Sequence, residues 1–490
     1  MPELTKTPPG HGRQRLVLAI CCMSLLIVSL DNTALNVALP ALQRELHASV
    51  AGLQWIIDAY TLVLASLLML AGSTADRIGR RRVFATGLVV FVLGSLLCSL
   101  APGLEALVAF RTVQAVGGSM LNPVAMSIIT NTFTDPAARA RAIGVWGAVV
   151  GVSMAAGPLV GGLLVESVGW RAIFWVNLPV GLLALLLTLR YVPESRAPRP
   201  RRADPVGQLL VAALLGSLTY AIIESSLPFA VVAALALAGV LVYEPRRAEP
   251  LIDLRFFRSA PFSGATVIAV CAFAALGGFL FLNTLYLQDV RGLSALHAGL
   301  FMLPMAAMTF VFAPLSGRLV GARGPRPSLL AAGTAMAAGA LPFAAFRAET
   351  STPLLFVGYV VFGIGFGVVN APITNTAVSG MPRAQAGVAA AVASTSRQIG
   401  QTLGVAVAGA VLSAGLASAS YGPGSATGPH LEGFVEASRP AYWIVTGCGL
   451  CVLLAGALTS GAWARRTAER TARLLEAEGA VQAAARAPSA

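Results

Sequence analysis

Apolar residues fall in blocks of about 20, each long enough to cross a hydrocarbon layer of about 30 Å as a helix. Fourteen such blocks are predicted, near 16–39, 53–73, 83–101, 106–130, 142–165, 172–191, 206–224, 227–243, 262–288, 294–317, 328–346, 353–378, 386–414 and 440–464. Short polar stretches rich in Gly, Pro and Arg separate them. A membrane barrel would show alternating strands of about 10 residues, and the chain has no such alternation. The pattern predicts an all-α polytopic membrane protein.

Composition sharpens this. Hydrophobic residues make up 56% of the chain and charged residues 11%, where a soluble globular chain carries about 25% charged. A net charge of +13 raises nucleic-acid binding as a reading, but the charges lie in the short loops, where membrane topology requires them. The six cysteines (Cys21, Cys22, Cys98, Cys271, Cys448, Cys451) all lie inside apolar blocks, so the C-x-x-C spacing of Cys448 and Cys451 reads as packing. The first block follows Arg13 and Arg15, is long and contains Asp31, and so reads as a true span rather than a cleaved leader.

An even number of spans puts both termini on one face. That face collects 27 Lys and Arg against 5 on the other, leaving Arg111 and Arg397 within spans. Positive residues stay cytoplasmic, so both termini are expected there, in a cell membrane. Long polar breaks at 193–205 and 244–261 isolate spans seven and eight between two sets of six. Span four reads G-G-S-M-L-N-P (Gly117 to Pro123) and span twelve G-F-G-V-V-N-A-P (Gly365 to Pro372). Weak likeness between two parallel six-helix sets is a transporter signature, with substrate held between the halves. The expected organisation is a tail at 1–15, a six-helix bundle at 16–192, a linker with two further spans at 193–260, a second bundle at 261–465 and a cytoplasmic tail at 466–490.

Charges within spans cost about 2.5–3.5 kcal/mol at the bilayer centre and mark partners or cavities. Asp31, Asp58 and Arg111 all fall in the outer half of their spans at similar depth. A carboxylate pair beside one guanidinium can take up a proton in one conformation and release it in another. Arg111 also reads as a purely structural partner for Asp31, and Asp58 as an interfacial residue reaching headgroups. Arg397, beside Gln398, has no acid on its own span and reads either as a contact for an anionic substrate group or as a cation caged by carbonyls. With Gln114, Asn122 and Asn370 these are the candidate substrate-cavity residues.

Around these charges the chain resembles the major facilitator superfamily, in its fourteen-span drug/proton antiporter branch, from about residue 16 to 465. The stretches carrying the likeness are L-D-N-T-A-L-N-V-A-L-P (Leu30 to Pro40), G-S-T-A-D-R-I-G-R-R-R (Gly72 to Arg82), L-V-A-F-R-T-V-Q-A (Leu107 to Ala115), W-R-A-I-F-W-V-N-L-P (Trp170 to Pro179) and S-R-Q-I-G-Q-T-L-G (Ser396 to Gly404). The third departs at Ala115, where the family has Gly. The resemblance implies two six-helix bundles with two extra helices. It also implies a conformational latch at Gly72, Asp76, Arg77, Gly79 and Arg80, in which Asp76 faces the start of span thirteen near Gln385. A carboxylate at a helix N-terminus is favourable. The corresponding loop of the second half has Gly317 in place of the Asp, so the latch is expected on one side only.

Span five, G-A-V-V-G-V-S-M-A-A-G-P-L-V-G-G (Gly147 to Gly162), is similar to the antiporter motif that exporters carry. Gly147/Gly151 and Gly157/Gly161 recur at the spacing that admits a close helix neighbour, Gly162 extends the stripe, and Pro158 bends the helix.

The only lysine is Lys6, so the chain has no phosphate-binding P-loop and is no ATP-driven pump by itself. The four histidines are scattered and no reactive constellation marks an enzyme. The expected function is proton-coupled antiport exporting small amphipathic drugs or antibiotics by alternating access. It would need the proton motive force and no cofactor, and the chain would work in the bilayer as a monomer. The alternative is a proton symporter importing a small metabolite.

Overall fold

The computed structural model describes residues 11–197, 204–247, 250–345, 350–379, 381, 385–418 and 429–485. Lys6, Arg199, Arg201, Arg202, Arg347, Arg383 and Arg486, counted above to assign topology, lie outside these residues.

The described chain is helical. It runs α1 (His11–Leu46), α2 (Val50–Ile78), α3 (Arg80–Ser99), α4 (Leu104–Thr132), α5 (Pro136–Ser167), α6 (Ala172–Trp175), α7 (Asn177–Tyr191), α8 (Pro205–Ile223) and α9 (Leu227–Tyr243). After two short 3-10 turns, Glu244–Arg246 and Leu254–Arg258, come α10 (Ala260–Leu285), a π-turn (Tyr286–Val290), α11 (Ala295–Arg323), α12 (Pro325–Ala344), α13 (Thr352–Val378), α14 (Ala386–Ser418), α15 (Pro429–Thr459) and α16 (Ala462–Ala485). Among the described residues thirteen helices are long and apolar enough to cross a membrane. The predicted span outside that set is α4, whose 29 residues include Arg111, Gln114, Ser119 and Asn122. Its polarity reflects what it carries, and it packs between α2 and α3 like its neighbours.

Local chemistry explains several boundaries. Ser49, Asp135, Asp204 and Ser294 each cap a helix, accepting from Gly52 N, Ala138 N, Gly207 N and His297 N at 3.1, 2.7, 3.0 and 3.4 Å. Pro136 and Pro205 follow two of these caps, where the missing N–H is no loss. The structure departs from the predicted limits at other prolines. Pro40 and Pro440 lie inside α1 and α15, because neighbouring helices in a membrane bundle can satisfy a freed carbonyl. The predicted sixth span is two helices joined at Val176. The predicted tail begins inside α16.

The two sets of six share one packing scheme. In the first, α1 packs on α5 and α7, α3 on α4 and α7, and α2 on α4. In the second, α10 packs on α14 and α15, α12 on α13 and α15, and α11 on α13. Two seams join the sets, α2 with α14 and α5 with α11. The matching positions exchange these two seams, as expected for parallel repeats. The α8–α9 hairpin lies against the first seam, where α8 touches both α2 and α14. Val211, Leu215 and Val240 pack there with Ala65, Gln208 donates to Ser66 O, and Trp55 Nε1 donates to Glu224 at 2.8 Å.

The polar bonds joining the halves run from mid-helix to the face that carries the α1–α2 loop, called here the far face. Gln54 donates to Val405 O and Ala406 O at 3.2 and 2.7 Å, Gln288 to Val37 O at 2.8 Å and Ser294 to Glu166 at 2.9 Å. On the opposite, near face, a Cβ added at Gly144 or Gly147 of α5, or at Gly317 or Gly321 of α11, would meet nothing within 4 Å. The α5–α11 seam is therefore tight towards the far face and open towards the near one.

Candidate functional site: a buried carboxylate network, an unpaired acid at the seam and a glycine-packed gate

Asp31, Arg111 and Gln114 are fully buried and held together. Arg111 Nη1 donates to Asp31 Oδ2 at 2.5 Å and to Gln114 Oε1 at 2.8 Å, and Gln114 Nε2 donates to Asp31 Oδ1 at 2.9 Å. Asn177 adds a donation to the same Oδ1 at 2.8 Å, and its amide also reaches Ser95 Oγ at 3.0 Å. Arg111 Nε donates to Ile56 O at 3.3 Å, and the guanidinium lies 4.1 Å from the centre of the Tyr60 ring. Helices α1, α2, α3, α4 and α7 thus converge on one ion pair. Every acceptor site of Asp31 that is used takes an N–H, which suits the charged carboxylate and not its acid.

Asn177, Ser95 and Tyr60 were not singled out in the sequence. Asn177 had a legible signal, as a polar side chain in the apolar stretch W-R-A-I-F-W-V-N-L-P. Ser95 and Tyr60 had none, since each is ordinary in a membrane helix. Ala115, the departure from the family pattern, is fully buried. The close approach of α4 to α3 uses Gly117, where a Cβ would strike Phe91, and Gly94, where it would meet Gln114 Cα at 2.5 Å.

Asp58 is also fully buried, so it does not reach headgroups. It also lacks the shared guanidinium expected for it. Its described neighbour is the Thr61 hydroxyl at 3.5 Å from Oδ1, and Oδ2 has no hydrogen-bond partner among the described residues. Thr402 of α14 donates to the same Thr61 hydroxyl at 2.8 Å. Asp58 therefore belongs to the α2–α14 seam rather than to the Asp31–Arg111 pair.

The second half repeats the arrangement without charge. Arg111 is the eighth residue of α4 and Tyr359 the eighth of α13. Tyr359 donates to Asn283 of α10 at 2.9 Å, as Arg111 does to Asp31 of α1. Around Tyr359 the core is aromatic, with Phe279 stacked on Phe362 at 4.3 Å and edge-on to Phe343 at 4.8 Å. Among the described residues, the acids buried within the two six-helix sets are Asp31 and Asp58 of the first, while buried Asp204, Glu244 and Asp253 belong to the connecting segment.

Gly72, Asp76 and Arg77 lie in the last turns of α2, Gly79 joins it to α3, and Arg80 opens α3, all at the near face. Asp76 Oδ1 accepts from Arg80 Nε and Nη2 at 3.0 and 2.8 Å. The segment after α7 laces across this junction. Arg80 N donates to Ser195 O at 2.9 Å, Ala197 N to Asp76 O at 3.1 Å and Arg81 N to Glu194 Oε1 at 3.1 Å. Gly79 has φ +124°, and a Cβ there would meet the Glu194 carboxylate at 2.6 Å. Arg77 is exposed, and among the described contacts Asp76 holds Arg80 rather than the start of α14.

The glycines of α5 divide into two groups. At Gly157 a Cβ would strike Thr33 of α1, and at Gly161 it would meet Ala34 O at 2.8 Å. At Gly162 it would meet Ala295 O and Leu296 Cα of α11 at 2.7 Å, while Gly299 of α11 rests on Pro158 O. At Gly151 a Cβ would come 3.0 Å from the Phe310 ring, and at Gly147 it would meet nothing within 4 Å. One turn around Pro158 therefore packs on α1 and on α11 together and draws the halves close.

Arg397 Nη2 donates to Thr374 of α13 at 2.5 Å, and its guanidinium lies 6.0 Å from the Phe273 ring of α10. The carbonyl cage considered for it is not what it meets. Its Nε, with Gln398 Oε1, Asn122 Oδ1, Asn32 Oδ1 and Trp146 Nε1, is buried without a hydrogen-bond partner. The Asn370 amide donates to Phe366 O at 3.4 Å, and Asn370 O accepts from Thr374 at 3.4 Å. These groups come from the middle of α1, α4, α5, α13 and α14. They supply unspent polar capacity on helices of both halves.

Two parallel six-helix sets around such groups define a multi-spanning helical transporter. The chain belongs to the Major Facilitator Superfamily, which it matches over residues 21–405. It is 38% identical over 428 residues to the multidrug resistance protein Stp of Mycobacterium tuberculosis, covering 86% of this chain and 78% of that one. It is 37% identical over 413 residues to the tetracenomycin C resistance and export protein of Streptomyces glaucescens, covering 82% and 76%. Its fold superimposes with a TM-score of 0.66 on a bacterial homolog of the human lysosomal transporter Spinster, in an inward-facing and occupied conformation, at 19% identity over 94% of this chain and 98% of that one.

Proposed function

We propose that this transporter exports small amphipathic drugs or antibiotics in exchange for protons, by rocking of the bundles 16–192 and 261–465 about the α2–α14 and α5–α11 seams. The near face, which gathers most of the Arg residues, is taken as cytoplasmic, so the conformation described is open inward and sealed outward. The relatives named for multidrug resistance and for tetracenomycin C export support the substrate class.

One observation carries the coupling mechanism, the unequal treatment of two buried acids. Asp31 is paired with Arg111 and saturated by N–H donors, so its charge is compensated and its role is to hold α1, α3, α4 and α7 as one unit. Among the described residues no cation pairs with Asp58, and a bare charge in that setting would cost several kcal/mol. Asp58 therefore carries the proton in this state. Opening of the α2–α14 seam outward breaks the Thr61–Thr402 bond and admits water, which lets Asp58 exchange its proton with the outside. The tight turn around Pro158 seals the other seam while the cavity faces inward. Asp76, which holds Arg80 among the described contacts, engages the start of α14 when the near face closes. Substrate is held by Asn122, Asn370, Arg397 and Gln398, whose free polar atoms lie on both halves.

The test is transport in proteoliposomes with an imposed pH gradient, across lipophilic cations, neutral antibiotics and anionic ones. Substrate moving against the proton gradient, lost in Asp58→Asn, supports the reading. Substrate accumulating along with protons would make the protein a symporter and refute it.

A further inference from the structure

The last helix has no part in the transport scheme, yet it is built in a particular way. α16 is fastened to the near face of the second half, against α10 and the Leu254–Arg258 turn. Ala464, Ala468, Thr471 and Leu475 are buried there, and Thr467 Oγ1 accepts from Ala260 N at 2.9 Å. The rest of its circumference is ordered by chemistry. At about 100° per residue, Trp463, Arg470 and Leu474 fall within about 20° of one line along the helix. Arg466 and Arg473 come next, some 60–80° farther round, then Glu469 and Glu476 at about 120–140°, and exposed Arg465 at about 160°. Trp463 is 65% and Leu474 52% exposed.

A second element at the same level has the same make-up. In the Leu254–Arg258 turn, Phe256 is buried, while Phe257 is 40% exposed beside exposed Arg258. Both elements join a membrane-spanning helix, so both lie where the bilayer ends. An exposed Trp and Leu with the long Arg470 between them, Arg466 and Arg473 one step round, and Glu469, Glu476 and Arg465 on the far side match the layers of an interface: hydrocarbon, phosphate, water.

We infer that α16, together with Phe257 and Arg258, is an interfacial clamp that binds the headgroups of anionic phospholipids of the protein's own bilayer through Arg466, Arg470 and Arg473. Trp463 and Leu474 enter the acyl boundary, and the three guanidiniums take the lipid phosphates by charge-assisted hydrogen bonds. The passage from the Trp463–Leu474 line through Arg466 and Arg473 to Glu469 and Glu476 follows the depth of a bilayer surface, and two exposed apolar side chains beside three arginines fit an anionic lipid better than a soluble partner. The clamp is independent of the transport reading and holds whatever the substrate is.

The experiment uses the full chain in vesicles of phosphatidylcholine containing traces of either brominated phosphatidylglycerol or brominated phosphatidylcholine. The Trp463 signal is obtained as the difference between the wild type and W463F. Brominated phosphatidylglycerol should quench it more strongly, as each arginine near an anionic surface enriches such a lipid about fivefold. R466Q/R470Q/R473Q should remove the preference and keep the quenching by brominated phosphatidylcholine. Salt at about 1 M, where the screening length falls to about 3 Å, should do the same to the wild type, which tests the idea even if the triple variant does not fold. Equal quenching by the two lipids, or none, overturns the clamp. Loss of the preference on adding soluble glycerol phosphate would show a free-phosphate site instead and overturn it equally.

Discussion

Replacing each of the two buried acids by its amide separates their roles. In Asp31→Asn the carboxylate that meets Arg111 at 2.5 Å, Gln114 at 2.9 Å and Asn177 at 2.8 Å becomes a group with one acceptor and two donors. Arg111 is left as a buried cation, and its Nη2 already lacks a hydrogen-bond partner. The Tyr60 face attracts it before and after the change and compensates nothing. Breaking a buried pair on one side costs about 3–5 kcal/mol, so Asp31→Asn should unfold far more readily than the wild type. Arg111→Gln in the Asp31→Asn background removes the stranded charge and should recover most of that loss. In Asp58→Asn an amide replaces an acid that makes one 3.5 Å contact, and stability should change by no more than about 1 kcal/mol. The two stabilities are read by denaturant titration in detergent, and the coupling by proton-driven efflux in proteoliposomes. Asp58→Asn should be stable and uncoupled. If Asp31→Asn proves as stable as the wild type, or Asp58→Asn the less stable of the two, the division of roles argued here is wrong.

Three further outcomes follow from the packing. Gly162→Ala places a Cβ 2.7 Å from Ala295 O and Leu296 Cα and should part α5 from α11 at the far face, raising the labelling of cysteines placed there, whereas Gly147→Ala meets nothing and should fold normally. Gln54→Leu removes the bonds to Val405 O and Ala406 O and should loosen the α2–α14 seam by about 1–2 kcal/mol, seen as a larger outward-open fraction in double electron–electron resonance between spin labels on α2 and α14. Gly79→Ala combines a φ of +124° with a collision at Glu194 and should cost about 1–3 kcal/mol, with Glu194→Ala in the same chain restoring part of it.

Much of this protein is legible in its sequence, and the reason is the solvent. In hydrocarbon every backbone polar group must be bonded within its own segment, so apolar length alone specifies helices and nearly their limits. The errors fell at Pro40, Pro440 and Val176, where helix continuity depends on what neighbouring helices supply. α4 shows how the site is signalled, since the polar residues that keep it out of the set of apolar spans are those that mark it as functional. Asp31 and Arg111 were legible as a pair because each is intolerable alone.

Partnership beyond that pair was decided by tertiary structure. Asp58 lies at the same depth as Asp31 in the sequence pattern, and nothing along the chain says that one meets a guanidinium and the other a threonine on the opposite half. That difference is set by the rotation of α2, which presents Ile56 O and the Tyr60 ring to Arg111 and turns Asp58 and Thr61 towards α14. The glycines of α5 read alike in sequence. Only packing against Thr33, Ala34, Ala295 and Leu296 separates Gly157, Gly161 and Gly162 from the open Gly147. Sequence determined which residues must leave lipid, because that cost belongs to each residue singly. Structure decided whom they meet, because a contact is a property of two helices and the angle between them.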